Sequence, residues 1–163
     1  MNKWLVIAIL AAAGMLLMRT SKAGIRKIQV HEALSLTPYK DVSGAWHIGY
    51  GHKLKPGEDY LRAPAGITRD QAEALLRADL ADAEKAVNEL VKVKLTANQY
   101  DALVSFVYNI GSGAFSTSTM LKLLNQGKYD KAAAEFPRWV NVGRKQVAAL
   151  VARRAQEQSL FLT

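Results

Sequence analysis

HEALSLTPYKDVSGAWHIGYGH, residues 31–52, contains all three histidines of the 163-residue chain together with two acids, Glu32 and Asp41. Asp41-Val42-Ser43-Gly44 places Asp first and Gly fourth, as a type I turn prefers. The following AWHIGYGH, residues 45–52, is rich in aromatic and β-branched residues and carries two glycines. That composition predicts a hairpin whose backbone allows a close approach. Upstream, Ile25, Ile28, Val30, His31 and Leu34 predict a short helix ending near Ser35. A turn between helix and hairpin folds the chain back, so that a helix-borne carboxyl (Glu32) and a hairpin-borne one (Asp41) face each other. Paired carboxyls suit glycoside hydrolysis: one donates a proton to the leaving oxygen, and the other, ionised, activates water or stabilises the transition state. Spacing alone does not separate this pair from the other acids, of which the chain has 14.

Downstream the signals are helical. After a loop through Pro56, Gly57, Pro64 and Gly66, Thr68-Arg69-Asp70-Gln71 makes a capping box. It opens a long amphipathic helix with Ala72, Leu75, Leu76, Leu80, Ala83, Val87 and Leu90 on one face. A second box, Thr96-Ala97-Asn98-Gln99, starts a helix with Leu103, Val104, Val107 and Tyr108 inward, which Gly111-Ser112-Gly113 ends. Further helices are predicted at about 118–126, 129–140 and 144–161. The fold class is therefore α+β: a small hairpin lobe and a larger helical lobe joined by a long helix, with a cleft between the lobes as a natural substrate site.

The N-terminus differs in kind. Trp4 to Met18, WLVIAILAAAGMLLM, carries no charge and is apolar on every face. As a helix it reaches about 23 Å, short of the roughly 30 Å hydrocarbon core of a bilayer. It reads as a weakly held membrane segment or a secretory signal peptide, with a buried core helix as the third option. Arg19, Lys22, Arg26 and Lys27 follow it and only Lys3 precedes it, which by the positive-inside rule favours keeping the C-terminal side cytoplasmic. With Arg19 to Gly24 as the linker, the expected division is an N-terminal segment, 1–24, and a catalytic domain, 25–163. The 50% hydrophobic composition excludes disorder, and the lack of cysteine excludes disulfides, a thiol nucleophile and cysteine-based zinc sites. A net charge of +8 suggests an anionic partner. The excess sits at the ends: residues 1–27 hold five basic and no acidic residues, 28–135 hold twelve and thirteen, and 136–163 hold five and one.

Taken in order, Glu32, Tyr39, Asp41, Gly44, Ile48, Gly49, Gly51 and His52 reproduce a Glu, Tyr-x-Asp, Gly-x-x-x-Ile-Gly-x-Gly-His signature. This stretch closely resembles the active site of the phage-type lysozymes, or endolysins. ITRDQAEALLRADL (67–80) resembles their inter-lobe helix, LTANQYDALVSFVYNIGSGAF (95–115) their central buried helix, and LVARRAQEQSLF (150–161) their closing helix. The resemblance implies a lysozyme-like fold and a muramidase acting on peptidoglycan, without cofactor or metal. It makes Glu32 the general acid and Asp41 the carboxylate that positions or activates water. Gly49 and Gly51 would let the hairpin backbone approach the sugar chain, or simply twist the strand. His52 is structural, with Asp79 its expected partner. Tyr39, Tyr108, Asn109 and Ser118 line the cleft in this reading, although the two tyrosines are equally open to a core role.

The sequence departs from the family where Thr usually precedes Ile-Gly-x-Gly-His: here the residue is His47. Three roles are open to it: a base, a covalent nucleophile shifting the reaction towards retention, or a group that only orients Asp41 or the water. Ala149, where a Gly is common, implies only a local packing change. Residues 4–18 resemble the signal-anchor-release segment of some endolysins. That implies passage through the export machinery, a tether in the host inner membrane in an inactive form, and then release as an active enzyme, a monomer, into the periplasm. Two other classes compete. A zinc amidase or peptidase would use His31, His47 and His52, whose spacing fits no standard zinc motif. A non-enzymatic membrane- or nucleic-acid-binding protein would use the charge, but no nucleic-acid motif is present and no nucleic-acid partner is expected.

Overall fold

The computed structural model describes residues 17–41 and 44–163. The apolar stretch 4–18 therefore lies almost wholly outside the described residues, and so does the N-terminal helix expected there. Among the described residues no helix is long and apolar enough to cross a membrane.

Helix α1 (Lys22–His31) begins where the Ser21 hydroxyl accepts the Gly24 amide and ends at Glu32, whose backbone is already extended. It stops short of the predicted Ser35, because Leu34 and Ser35 lead into a strand. Ile25 and Ile28 are its buried apolar residues, whereas Val30 is 76% exposed. Strands β1 (Ser35–Lys40), β2 (Trp46–Gly49) and β3 (His52–Lys53) form an antiparallel sheet in that order. Tyr39 pairs with His47 and Lys40 with Trp46, but Ser35 pairs with Gly49, so β1 carries extra residues between Ser35 and Tyr39. Pro38, which has no amide proton to donate, sits in that irregular stretch. The sequence reading missed β1 for the same reason.

Helix α2 (Arg69–Leu90) joins the lobes and opens on the predicted capping box, with Thr68 accepting from the Gln71 amide and Gln71 reaching back. Helix α3 (Ala97–Ile110) opens on the second box and forms the centre of the core, every residue from Tyr100 to Val107 being buried. It packs against α2 on one side and against α7 (Ala148–Phe161) on the other. Gly111 ends α3 at φ 87°, but the next residue already starts a short helix, α4 (Ser112–Ser116). Helix α5 (Thr119–Asn125) follows. The helix expected over 129–140 is shorter, α6 (Tyr129–Ala133), and gives way to a 3-10 turn at Phe136–Arg138 that contains Pro137. A small hairpin, β4 (Asn141–Val142) with β5 (Lys145–Gln146), then precedes α7, which starts later than predicted.

The segment read as a linker is pinned to the helical body. The Met18 amide donates to Asn88, whose own amide and the Tyr100 hydroxyl donate to the Met18 carbonyl. The Thr20 amide and hydroxyl both donate to Glu84, at 2.9 and 2.8 Å. The Ser21 amide and hydroxyl donate to Asp101. Glu84 and Asp101 are buried carboxylates that find their partners in this strip of chain. Burial raises the Tyr100 hydroxyl pKa strongly, and the neighbouring Glu84 adds to the effect.

Candidate active site

Glu32 caps α1 at the point where the chain turns into the sheet, so its side chain is delivered by a helix end rather than a loop. One carboxylate oxygen accepts from Arg153 Nη1 of α7 at 2.8 Å. The other faces the hairpin at Gly51, where a Cβ would stand 4.0 Å from it. Gly51 has φ 81° and Gly49 φ 67°, a region side-chain-bearing residues avoid. The hairpin backbone is thus brought bare against the carboxyl.

Asp41 sits across the hairpin. Its backbone amide donates to the Ala45 carbonyl, its carbonyl accepts from Gly44 at 3.0 Å, and its Oδ1 accepts from the Ala45 amide at 2.9 Å. His47 connects the two carboxyls' surroundings: Nδ1 lies 3.1 Å from the Gly51 carbonyl and Nε2 3.1 Å from Asp41 Oδ2. Both partners accept hydrogen bonds, so the ring presents a proton from each nitrogen or shares one with Asp41. Tyr39, partly exposed, stacks on the imidazole with centroids 5.7 Å apart.

His52 is buried on the far strand with its nitrogens between two acids. Nδ1 is 2.8 and 2.9 Å from the Asp79 oxygens, and Nε2 is 3.0 Å from Glu58. The Lys55 amide, then the His52 ring, hold the Glu58 carboxyl below its ordinary value. Tyr108 is half-buried in α3; burial, then the charges of Asp79 and Glu32, push its hydroxyl up to about 12. Asn109 is exposed and accepts from Arg154 at 2.9 Å. Ser118 is buried, and its hydroxyl caps α5 by accepting the Leu121 amide. The three histidines do not converge. His31 lines a cavity of about 430 Å³ between α1 and α7, away from the pairs made by His47 and His52. Among the described residues, no group of three His, Asp or Glu side chains is arranged so that it could hold a metal ion.

Arg153, Arg154, Glu157, Ser105 and Glu58 were not singled out from sequence. The paired arginines and the glutamate three and four residues on were visible in LVARRAQEQSLF, but only as the charge of a closing helix.

The family model described as phage lysozyme matches residues 29–157. The chain belongs to that family. Among relatives of this chain, the endolysin of Bacillus phage PZA is 49% identical over 146 residues, 88% of this chain. This chain spans only 55% of that relative's length. The SAR-endolysin of Enterobacteria phage P21 is 37% identical, with 80% of this chain and 77% of that protein covered. Among solved structures, the muramidase domain of SpmX from Asticaccaulis excentricus superposes with a TM-score of 0.80 at 41% identity, covering 89% of this chain and 98% of that one.

Proposed function

We propose that this phage lysozyme is a peptidoglycan-degrading muramidase, cleaving the β-1,4 bond between N-acetylmuramic acid and N-acetylglucosamine in phage-driven host lysis. The observation that carries the reading is the placement of two carboxyls around one bare hairpin: Glu32 against Gly51 on one side, and Asp41 held by His47 on the other. Glu32, protonated, gives its proton to the glycosidic oxygen as the bond to the sugar lengthens. Asp41, ionised, accepts a proton from the water that attacks the opposite face, or stabilises the oxocarbenium-like centre. His47 is a positioning residue here. Both of its nitrogens are turned to acceptors, which leaves no lone pair aimed at an anomeric carbon. Tyr39, Tyr108 and Asn109 are the side chains offered to the glycan.

Residues 4–18 are read as a releasable anchor, as the name of the SAR-endolysin relative suggests for that protein. The enzyme would be tethered and inactive at the host inner membrane after passing the export machinery, then released to act as a monomer in the periplasm. We draw the start of the enzymatic body before residue 18 rather than at 24/25, because Met18, Thr20 and Ser21 hydrogen-bond to the helical lobe.

Glu32→Gln is the direct test. Turbidity clearing of a peptidoglycan suspension should fall by about 10²–10⁴-fold with the circular dichroism spectrum unchanged. Near-normal clearing would overturn the reading. In the unaltered enzyme, an initial product of retained anomeric configuration would overturn the positioning role of His47. Full activity in a membrane-bound fraction would overturn the tethered, inactive state.

A further inference from the structure

We infer that Glu157, buried in α7, is a positioning residue for Glu32 that acts through Arg153. The inference rests on Glu32 being the general acid, as proposed above. An arginine next to a general acid presents a problem, since an unshared guanidinium favours the ionised carboxylate and a carboxylate has no proton to give. The structure supplies a second claimant for that charge. Arg153 Nη1 donates to Glu32, while its Nε donates to Glu157 Oε1 at 3.1 Å and its Nη2 to the Ser105 carbonyl at 3.2 Å. The guanidinium is thereby fixed on three sides, and its charge is divided between two acids.

The described charged and titratable groups around both acids can be named. Glu32 is faced by Arg153 from α7, by Tyr108 from α3 and by the backbone at Gly51. Glu157 is faced by Arg153 and Arg154 of its own helix and by Ser105 of α3, whose hydroxyl donates to it at 2.6 Å. Lys27 and His31 of α1 line the cavity on whose wall Glu157 also lies. Burial and the two arginines hold the His31 pKa down, so it adds no charge near neutrality. Arg154 lies 2.9 Å from Glu157 Oε2, lies over the Phe106 ring and donates to Asn109. Glu157 thus anchors two arginines, one running to Glu32 and one to the exposed amide of Asn109.

Charge sharing has a signature that a purely structural role lacks, because removing opposite charges from the cluster moves the pH profile in opposite directions. In Glu157→Gln, the arginine charge falls on Glu32 alone. The alkaline limb of the pH–activity curve should move to lower pH by about one unit, a tenfold loss at fixed pH on that limb. Arg154→Met removes a positive charge from the same cluster, and the limb should move to higher pH. The full-length enzyme, checked by circular dichroism, is assayed on a peptidoglycan suspension from mildly acidic to mildly alkaline pH. Opposed shifts support the inference. Uniform losses of activity with the limb in place, or shifts in the same direction, overturn it. If Glu157→Gln does not fold, the direction of the limb in Arg154→Met decides alone. Clearing retained by Glu32→Gln would instead reject the assignment of the general acid and leave the charge shared by Arg153 without a catalytic consequence.

Discussion

His52 shows how a single residue is specified by charge placement. Its imidazole is buried, and a buried ring facing Asp79 and Glu58 is satisfied only because both acids reach it. Glu58 responds to this: its carboxyl is held below the ordinary value of 4.5 by the Lys55 amide and by His52. A depressed folded-state value gives stability that is present above 4.5 and lost as pH falls through the lower folded value. Glu58→Gln should therefore cost about 1 kcal/mol at neutral pH, a figure kept small because the side chain is partly exposed. The difference from the parent protein should vanish in acid. Urea denaturation at neutral and at acid pH measures it, and a gap that widens in acid would contradict the argument. The same scale marks the reach of the sequence. The resemblance of a run of motifs offered Glu32 and Asp41 as candidates and His52 with Asp79 as a pair, and the structure brings that pair together. Arg153 and Glu157 were not legible, since a buried ion pair in a helix reads in sequence like an exposed one.

At the scale of elements, legibility followed local chemistry. Both capping boxes and the apolar periodicity of α2 and α3 were visible, because each is written within a few residues. Strand β1 was hidden by Pro38 and its irregular register, and the β4–β5 hairpin by the polar run NVGRKQ. Helix α1 was read without its true N-terminus, because the group that fixes Ser21 is Asp101, distant in sequence. That contact imposes a further constraint. A Cβ on Gly24 would overlap the Asp101 carboxyl, so only glycine lets α1 start against α3. Gly24→Ala must displace Asp101 and weaken the Ser21 cap, at a cost of about 2–4 kcal/mol. Because α1 ends at Glu32, the shift is transmitted towards the acid. Thermal and urea denaturation should both register the loss, and a cost below about 0.5 kcal/mol would show that the close approach is not required.

For the whole molecule, the junction between the apolar segment and the body is the decisive feature. Composition placed a boundary after residue 24, yet Met18, Thr20 and Ser21 hydrogen-bond to Asn88, Glu84, Tyr100 and Asp101 of the helical lobe. Arg19 adds an ion pair to Glu84, though its own side chain is exposed and the pair contributes little. A boundary drawn from hydropathy and one drawn from buried hydrogen bonds differ here, and two truncations separate them. Removal of residues 1–16 leaves every one of these bonds in place and should leave the denaturation midpoint of the body close to that of the released full chain. Removal of residues 1–21 takes the donors of Thr20 and Ser21 away from the buried carboxylates of Glu84 and Asp101, at an expected cost of about 3–5 kcal/mol. It also deletes the Ser21 cap of the helix that carries Glu32, so peptidoglycan clearing should fall along with stability. Equal stability of the two truncations would mean that residues 17–21 are a linker after all. A large gap between them would mean that the folded body begins within a residue or so of the apolar stretch, with that stretch and the helix ending at Glu32 separated by only the pinned turn.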